Sequence, residues 1–437
     1  MSPRPTMLAN APFARMPTRI RTWPALRVPP HRASSATLAG AYPFLVPPAL
    51  DVGVPIGTDA LGGGMFCFDP WALYAAGELT NPNVVLAGVV GAGKSALAKA
   101  LAYRSVAAGR RVYVPGDPKG EWASVAEAVR GAVVQLGPHL GNLLNPLDAR
   151  VGDAAHGDRL RRLGAIAATT LRRDLQPAEH SALDAALTTI EHDDCPPTLG
   201  PIVAALVRPD PGDARTDGVA VADRAHDGNN LAHGLRRLVR GDLSGMFDGQ
   251  TTRPLDPSAP MVVLDLSRLG GDEDALAVAM TCASGWLESA LYSASPANRW
   301  VIYDEAWRLL RHVAVVRSMQ AQWKLSRALG VANLLILHRL SDLDAVGAAG
   351  SEARALAEGL LADCSTRIVY RQESDQLAAT ARALGLTQPE RDLLPALPRG
   401  TGLWKLPRRT HVVHHVLAGA EEARLVDTDQ AMRQEGR

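Results

Sequence analysis

Eight consecutive residues match the phosphate-binding pattern GxxxxGK[ST]. They occupy positions 88–95 and read GVVGAGKS. The apolar run at 83–87 predicts a short buried strand before them, and residues 96–108 predict a helix after them. In this order, backbone N–H groups and the helix N-terminus point at the phosphates of a nucleotide. The stretch therefore predicts a nucleotide site, and a purely structural glycine turn is the alternative.

The residues of this loop have separate expected roles. Lys94 would reach the β and γ phosphates, and the hydroxyl of Ser95 would ligate Mg²⁺. The remaining contacts to the nucleotide would come from the backbone of Gly88, Gly91, Ala92 and Gly93.

Two adjacent carboxylates follow another predicted buried strand. The strand is Arg299–Tyr303, and Asp304 and Glu305 come directly after it. Asp304 would hold Mg²⁺, directly or through water, while Glu305 would orient and deprotonate the attacking water. Asp265 ends a similar run, VVLD, but no second acid follows it. It is the alternative metal ligand, without a base beside it.

Two further groups of polar residues come at predicted strand ends. Asp117 and Lys119 follow the predicted strand 111–115, at the edge where doubly wound sheets bind ligands. We expect both to contact the nucleotide; a helix cap at Asp117 or a surface ion pair is the alternative. His338 follows the predicted strand Val331–Leu337 and could sense the γ-phosphate, or merely cap that strand.

Composition gives no sign of a generally nucleic-acid-binding, membrane-spanning, zinc-binding or disulfide-rich protein. The 437 residues carry 46 Lys plus Arg and 45 Asp plus Glu, so the net charge of +1 gives no general signal for nucleic acid or anionic lipid. Hydrophobic residues make up 47% but aromatic ones only 5%, which suits helices packed on a parallel sheet. No apolar run approaches the ~18 residues that span a bilayer. The four cysteines are far apart, without metal or disulfide spacing, which predicts a cytoplasmic location.

The pattern along the chain predicts five regions. They are a basic, Pro-rich and unstructured arm (1–50), a small β lead-in (51–82), an ATPase-type domain in two pieces (83–150 and 241–418), an all-α insertion (151–240) and a charged tail (419–437). The arm is either a solvated tail or a docking arm for acidic protein, DNA or lipid headgroups. Within the insertion we expect a mobile loop at 208–229, and we expect the tail to fray. Strands at 402–406 and 411–417 predict a closing hairpin.

Two features favour an α/β RecA-like P-loop fold with a mostly parallel central sheet. One is the second carboxylate, Glu305, and the other is the strand Val331–Leu337, which we expect between the strand 83–87 and the strand Arg299–Tyr303. Several phrases narrow this further: FDPW (68–71), NPNVVLAG (81–88), DPKGEW (117–122), LLNPLD (143–148), YDEAWRLL (303–310), TRIVYRQ (366–372), ALGL (383–386) and PRGTGLW (398–404). In this order they resemble the type IV secretion and conjugative-transfer ATPases of the VirB-four and TraC class, within the HerA/FtsK superfamily. The resemblance covers about 56–417.

This resemblance implies a Mg²⁺-dependent motor that hydrolyses ATP to energise assembly of, or transport through, a conjugation or secretion apparatus. It also implies a homo-hexameric ring in which an arginine from one subunit completes the neighbour's site. Arg367 and Arg371 are the candidates, although either could be a surface charge. Expected partners are other proteins of such a system and possibly DNA, with only indirect membrane contact.

Two features depart from that family. Its full-length members carry a large N-terminal domain that docks on membrane components, in place of the basic arm and β lead-in found here. In much of the superfamily the sensor strand ends in Thr-Gln, whereas this one ends in Leu337-His338. The alternatives are a DNA-translocating motor of the FtsK or coupling-protein type, and a nucleotide-gated scaffold with little turnover.

Overall fold

The computed structural model describes residues 50–148, 156–192, 196–253, 256, 258–270, 272–293, 297–310, 312–338 and 351–427. The predicted arm therefore lies outside the described residues, apart from Leu50. Residues 428–437 of the predicted tail also lie outside them.

The described strands form one mixed sheet of eleven strands, in the order β2-β1-β11-β10-β9-β3-β8-β7-β4-β6-β5. The seven from β9 to β5 are parallel, and the other four pair antiparallel. The α/β prediction, with a mostly parallel sheet and a closing hairpin, is confirmed. The strands are β1 (Val54–Asp59), β2 (Met65–Phe68), β3 (Val84–Ala87), β4 (Arg111–Asp117), β5 (Ala132–Gln135), β6 (Met261–Asp265), β7 (Arg299–Tyr303), β8 (Val331–Leu337), β9 (Thr366–Tyr370), β10 (Thr401–Lys405) and β11 (Thr410–His415).

The central strand β3 is buried on both faces. Val84 and Leu86 pack into one hydrophobic cluster, and Val85 and Ala87 pack into the other. A continuous apolar run is typical of a parallel strand that is covered by helices on both sides. This is why residues 83–87 read as a buried strand.

Fifteen α-helices are described. The hydrophobic cluster on one face of the sheet contains side chains of the first three helices. The cluster on the other face contains side chains of the insertion and of the helices that follow β6, β7 and β8. None of the described helices is long and apolar enough to cross a membrane. The helices are α1 (Pro70–Ala75), α2 (Lys94–Ala107), α3 (Ala123–Ala128), α4 (His156–Leu171), α5 (Pro177–Glu191), α6 (Leu199–Val207), α7 (Pro211–Thr216), α8 (Val221–Arg240), α9 (Glu273–Ser293), α10 (Trp307–Leu310), α11 (Val313–Leu329), α12 (Glu352–Ala362), α13 (Leu377–Ala383), α14 (Gln388–Leu393) and α15 (Ala420–Val426).

The prediction of a mobile loop at 208–229 is wrong. Asp210 caps α7 by accepting hydrogen bonds from the backbone of Gly212 and Asp213, and α8 begins at Val221. The buried positions of α8 include Arg224, Gly228, Leu231, Leu235 and Leu238, so helical spacing extends back into the polar stretch. Asp and Gly in that stretch concealed the periodicity.

The prediction that the tail frays is also wrong for its first part. Residues of α15 pack against α2, where the guanidinium of Arg104 binds the carboxylate of Glu422 at 2.6 and 2.7 Å. The same guanidinium donates to the carbonyls of Pro55 in β1, at 2.5 Å, and of Val416 after β11, at 2.6 Å. The side chain of Arg104 thus connects α2 to segments near both ends of the described chain.

Candidate active site

The loop between β3 and α2 requires glycine at three positions. Gly91 and Gly93 have φ of 76° and 108°, in the region that favours glycine. At Gly88 the reason is contact, because a Cβ there would lie 2.6 Å from Cβ of Tyr370. The sequence pattern therefore corresponds to backbone geometry as well as to chemistry.

Neighbouring strands hold this loop in place. The N–H of Val89 donates to the carbonyl of Arg371 at 3.0 Å, just after β9. The N–H of Gly400, just before β10, donates to the carbonyl of Ala92 at 2.9 Å. The conformation of the loop is thus coupled to β9, which pairs parallel with β3, and to the next strand, β10.

Lys94 lies buried beneath the loop, with 3% of its surface exposed. Its ammonium donates to the carbonyls of Gly88 at 2.6 Å and Val89 at 2.9 Å. Burial lowers the pKa of Lys94 to about 8, although the carboxylates of Glu305 and Asp304 oppose that shift. An anion would stabilise this desolvated ammonium better than carbonyl dipoles do. The first turn of α2 also has backbone N–H groups without intrahelical partners, so these residues fit a nucleotide phosphate.

Asp304 and Glu305 are brought to the same edge of the sheet as the loop. They follow β7, and β8 alone separates β7 from β3. Asp265 instead ends β6, beyond β7 and β4, and its carboxylate accepts hydrogen bonds from Ser267 N and Gln135 Nε2 at 2.9 and 3.0 Å. The strand order therefore favours Asp304 over Asp265 as the metal ligand.

The carboxylate of Asp304 is almost fully buried. Its Oδ2 accepts a hydrogen bond from the indole nitrogen of Trp122 at 2.9 Å, and its Oδ1 accepts one from the backbone of Glu305 at 2.9 Å. Burial raises the pKa of Asp304 above its usual value. A divalent cation would stabilise the ionised form in this position.

Glu305 has an unusual backbone and a crowded side chain. Its φ is 52°, in the left-handed region that non-glycine residues rarely adopt. Its Oε1 accepts from Nε2 of His338 at 2.7 Å and pairs with the ammonium of Lys119, while Oε2 accepts from the indole of Trp307 at 2.6 Å. Burial alone would raise the pKa of Glu305, but the bonds from His338 and Lys119 outweigh burial and hold it well below the usual value.

Asp117 shapes the loop that supplies Lys119 and Trp122. Its Oδ1 accepts from the backbone of Lys119 at 3.1 Å and Gly120 at 2.9 Å, and its Oδ2 accepts from the backbone of Trp122 at 2.7 Å. Burial raises the pKa of Asp117 to about 6. These bonds shape a turn after β4 and not a helix cap, because α3 begins at Ala123 with Trp122 at its N-cap position and without a side-chain cap. Contact of Asp117 with a nucleotide stays a prediction.

Two tryptophans of the site were not expected. Trp122 and Trp307 donate to the two acids, one to each. Both stand in phrases that carried the family resemblance, DPKGEW and YDEAW, which was the available signal. Motif chemistry does not point to tryptophan, because its single N–H has no acid–base function.

The side chains of the two candidate arginines differ in how freely they can move. Arg367 lies in β9 and is half-buried, and its Nη1 donates to the carbonyl of Leu384 at 2.8 Å. Arg371 has an exposed side chain, and its backbone carbonyl accepts the hydrogen bond from Val89 of the phosphate-binding loop. An arginine that serves a neighbouring subunit must be free to extend, so Arg371 suits that role better than Arg367. Both assignments stay predictions.

The donor set also suits magnesium. Mg²⁺ is commonly bound by one or two carboxylates together with substrate phosphates, and not by a cage of protein ligands. Within the described ranges, no group of three or more His, Cys, Asp or Glu side chains could hold a metal ion by itself. Asp304 and Ser95 fit the former arrangement.

The glycine-rich loop, the acid pair with one strand between it and the loop strand, and the mostly parallel sheet together define a RecA-like P-loop fold. No family model matches the chain, and no curated protein matches it. Among solved structures, VirB4 of Thermoanaerobacter pseudethanolicus matches with a TM-score of 0.70 and 22% identity, over 85% of this chain and 98% of that chain.

A second similar structure is the plasmid coupling protein TrwB in complex with ADP and Mg²⁺. It matches with a TM-score of 0.56 and 15% identity, over 89% of this chain and 94% of that one. A TrwBdeltaN70 form with sulphate matches with a TM-score of 0.57 and 15% identity, over 87% and 93%. The chain therefore has the fold of VirB4 and TrwB, and the resemblance inferred from sequence is confirmed at the level of the fold.

Proposed function

We propose that this protein is a Mg²⁺-dependent ATPase motor that energises assembly of, or transport through, a conjugation or type IV secretion-like apparatus. The observation that carries the proposal is the pair Asp304–Glu305, placed one strand away from a complete phosphate-binding loop. A protein that only binds a nucleotide needs the loop but has no need of the second acid.

Each residue has a stated part in hydrolysis. Lys94 and the loop backbone would bind the phosphates, and Ser95 and Asp304 would hold a magnesium ion. When bound, that ion would supply positive charge against the phosphate oxygens. Glu305 orients a water molecule and accepts its proton. His338 holds the carboxylate of Glu305 in position, and this contact is what supports a role for His338 in place of a plain strand cap.

The assignment to a secretion or conjugation system rests on the fold. VirB4 is matched over 98% of its described chain, and TrwB structures contain ADP with Mg²⁺ or the ATP analogue ADPNP. We propose by the same analogy a homo-hexamer, completed at each site by an arginine of the neighbouring subunit, with Arg371 the better candidate. Membrane contact would be indirect, through partner proteins on the cytoplasmic side.

A DNA-translocating motor is the second candidate. The similarity to the coupling protein TrwB favours it, at a lower TM-score than VirB4. DNA binding through phosphates would make activity fall steeply with salt.

One experiment addresses these alternatives. ATP hydrolysis by the purified protein is measured alone, with single-stranded DNA and with double-stranded DNA, at low and high salt, beside a mass measurement with ATP present. Hydrolysis without a DNA requirement supports the secretion-type motor, whereas strong stimulation by DNA at low salt supports the translocase. Nucleotide binding without hydrolysis under all these conditions contradicts both and supports a nucleotide-gated scaffold.

A further inference from the structure

Lys119 makes a contact that a simple phosphate ligand would not make. Its ammonium pairs with Oε1 of Glu305, the same oxygen that accepts from His338. The side chain of Lys119 is 46% exposed, whereas that of Glu305 is 4% exposed. The base is therefore fixed, while the cation that neutralises it has room to move.

Lys119 also lies near the phosphate-binding lysine. Its positive charge is among the causes that lower the pKa of Lys94, and the charge of Glu305 acts on both lysines. Lys119 therefore borders the space where Lys94 would meet an anion. The loop that carries Lys119 is held from beneath by Asp117, so the flexible stem of the lysine can move while the backbone stays in place.

One ammonium then faces two competing anions. The terminal phosphate of ATP carries more charge than a carboxylate and accepts several hydrogen bonds, so it would draw Lys119 away from Glu305. ADP lacks that phosphate and would leave the pair intact. With one donor from His338 and one from Lys119, both acceptor sites of Oε1 are taken, so this oxygen cannot accept a proton from water until Lys119 leaves.

We propose that Lys119 is a positioning residue that holds Glu305 in the absence of ATP and moves to the terminal phosphate when ATP binds. Glu305 is released to act on water only in the ATP-bound protein. This inference rests on the proposed ATPase function and adds to it a device that prevents Glu305 from acting before the substrate is in place.

The test is a binding comparison with the full chain, with ADPNP and ADP as probes and Mg²⁺ in excess. Four proteins are compared: wild type, Lys119→Met, Glu305→Gln and the double variant. In the Glu305→Gln background, Lys119→Met should weaken ADPNP binding about 10- to 100-fold, the value of a charge-assisted hydrogen bond, and change ADP binding less than about twofold. When Glu305 is present, Lys119→Met should cost less ADPNP affinity than it does in the Glu305→Gln background, by a factor of up to about five. The reason is that Lys119 must then first leave a half-exposed ion pair.

Two controls accompany these proteins. Lys119→Arg retains the positive charge and should retain most of the preference for ADPNP. Lys324→Met makes the same change at an exposed lysine of α11 and should bind both nucleotides like the wild type. The unchanged affinity for ADP shows that each variant is folded.

The outcomes separate this inference from the function on which it rests. Lys119→Met in the Glu305→Gln background could weaken the binding of ADPNP and ADP equally, or leave the binding of both unchanged. Either result means that Lys119 does not move to the terminal phosphate, and the inference is then wrong even when the wild type hydrolyses ATP. If the wild type binds neither probe, the proposed ATPase function itself fails, and the inference fails with it.

Discussion

The indole nitrogen of Trp122 lies 2.9 Å from Oδ2 of Asp304, although the two residues are 182 positions apart in the chain. Both side chains are buried at the carboxyl edge of the sheet. A second residue of the same loop, Lys119, contacts the neighbouring acid, Glu305. The segment 117–122 thus provides one donor for each of the two acids that we assign to hydrolysis.

Removing the indole N–H should weaken metal binding. In Trp122→Phe, Asp304 loses the bond that orients its carboxylate, and changes of this kind typically cost about 10- to 100-fold in metal affinity. We expect the Mg²⁺ concentration for half-maximal hydrolysis to rise by that factor, with recovery of most of the rate at saturating Mg²⁺. The matched control is Trp71→Phe, which removes an indole bond to the carbonyl of Gly330 at 3.0 Å, remote from the acids. An equal rise in the control would show that the effect comes from a general loss of packing.

Lys94→Ala should bind nucleotide at least about tenfold more weakly, because a charge-assisted contact to phosphate is lost. Isothermal titration with ADP and Mg²⁺ measures this directly. Lys324→Ala, on the exposed side of α11, serves as the control and should bind like the wild type. Unchanged affinity in Lys94→Ala would remove the 88–95 loop from the nucleotide site.

The packing of the insertion can be tested at a glycine. A Cβ at Gly228 of α8 would lie 2.7 Å from the carbonyl oxygen of Leu206, at the end of α6. We expect Gly228→Ala to lower the free energy of unfolding by about 1–3 kcal/mol, because the two helices must separate. At Gly200 of α6 the nearest atom to an added Cβ is 3.9 Å away, so Gly200→Ala should be neutral or stabilising by up to about 1 kcal/mol. Urea unfolding of both variants measures the difference, and equal effects would contradict the close contact.

His415, in β11, should make stability depend on pH. Burial, and then the charge of Arg104, lower its pKa from 6.5 to about 4. Between these two values the unfolded chain binds the proton and the folded chain does not, so this histidine lowers stability as the pH falls from 6.5 towards 4. In His415→Gln that contribution disappears, and the loss of unfolding free energy between pH 7 and pH 4.5 should be about 2 kcal/mol smaller than in the wild type. Parallel pH dependence of the two proteins would show that His415 titrates normally.

The elements with continuous apolar runs could be predicted closely from the sequence. The predicted bounds of β7 and β8 are those of the structure, because strands buried on both faces produce runs with clear ends. The second half of the insertion could not be predicted in the same way. There Arg224 occupies a buried helical position, where it donates to Ser181 and pairs with Asp217, so a charged residue stands where the pattern requires an apolar one.

The site was predicted in its parts but not in its connections. Motif spacing made Lys94, Asp304 and Glu305 candidates, since the proposed chemistry requires these residue types, and the strand order brings them to the same edge of the sheet. The contacts of Trp122 with Asp304 and of Lys119 with Glu305 depend on the order β7-β4 in the sheet, which places two distant segments side by side. A sequence indicates which strands exist more readily than which strands are neighbours.

We propose above that Glu305 activates water for ATP hydrolysis. It is tested most directly by the rate of phosphate release from saturating Mg²⁺-ATP, measured for the wild type and Glu305→Gln at equal concentration, with ADP binding as the control for folding. We expect steady hydrolysis by the wild type and a loss of about 100- to 10,000-fold in the variant, with nucleotide binding retained. Turnover in Glu305→Gln at the rate of the wild type would contradict it.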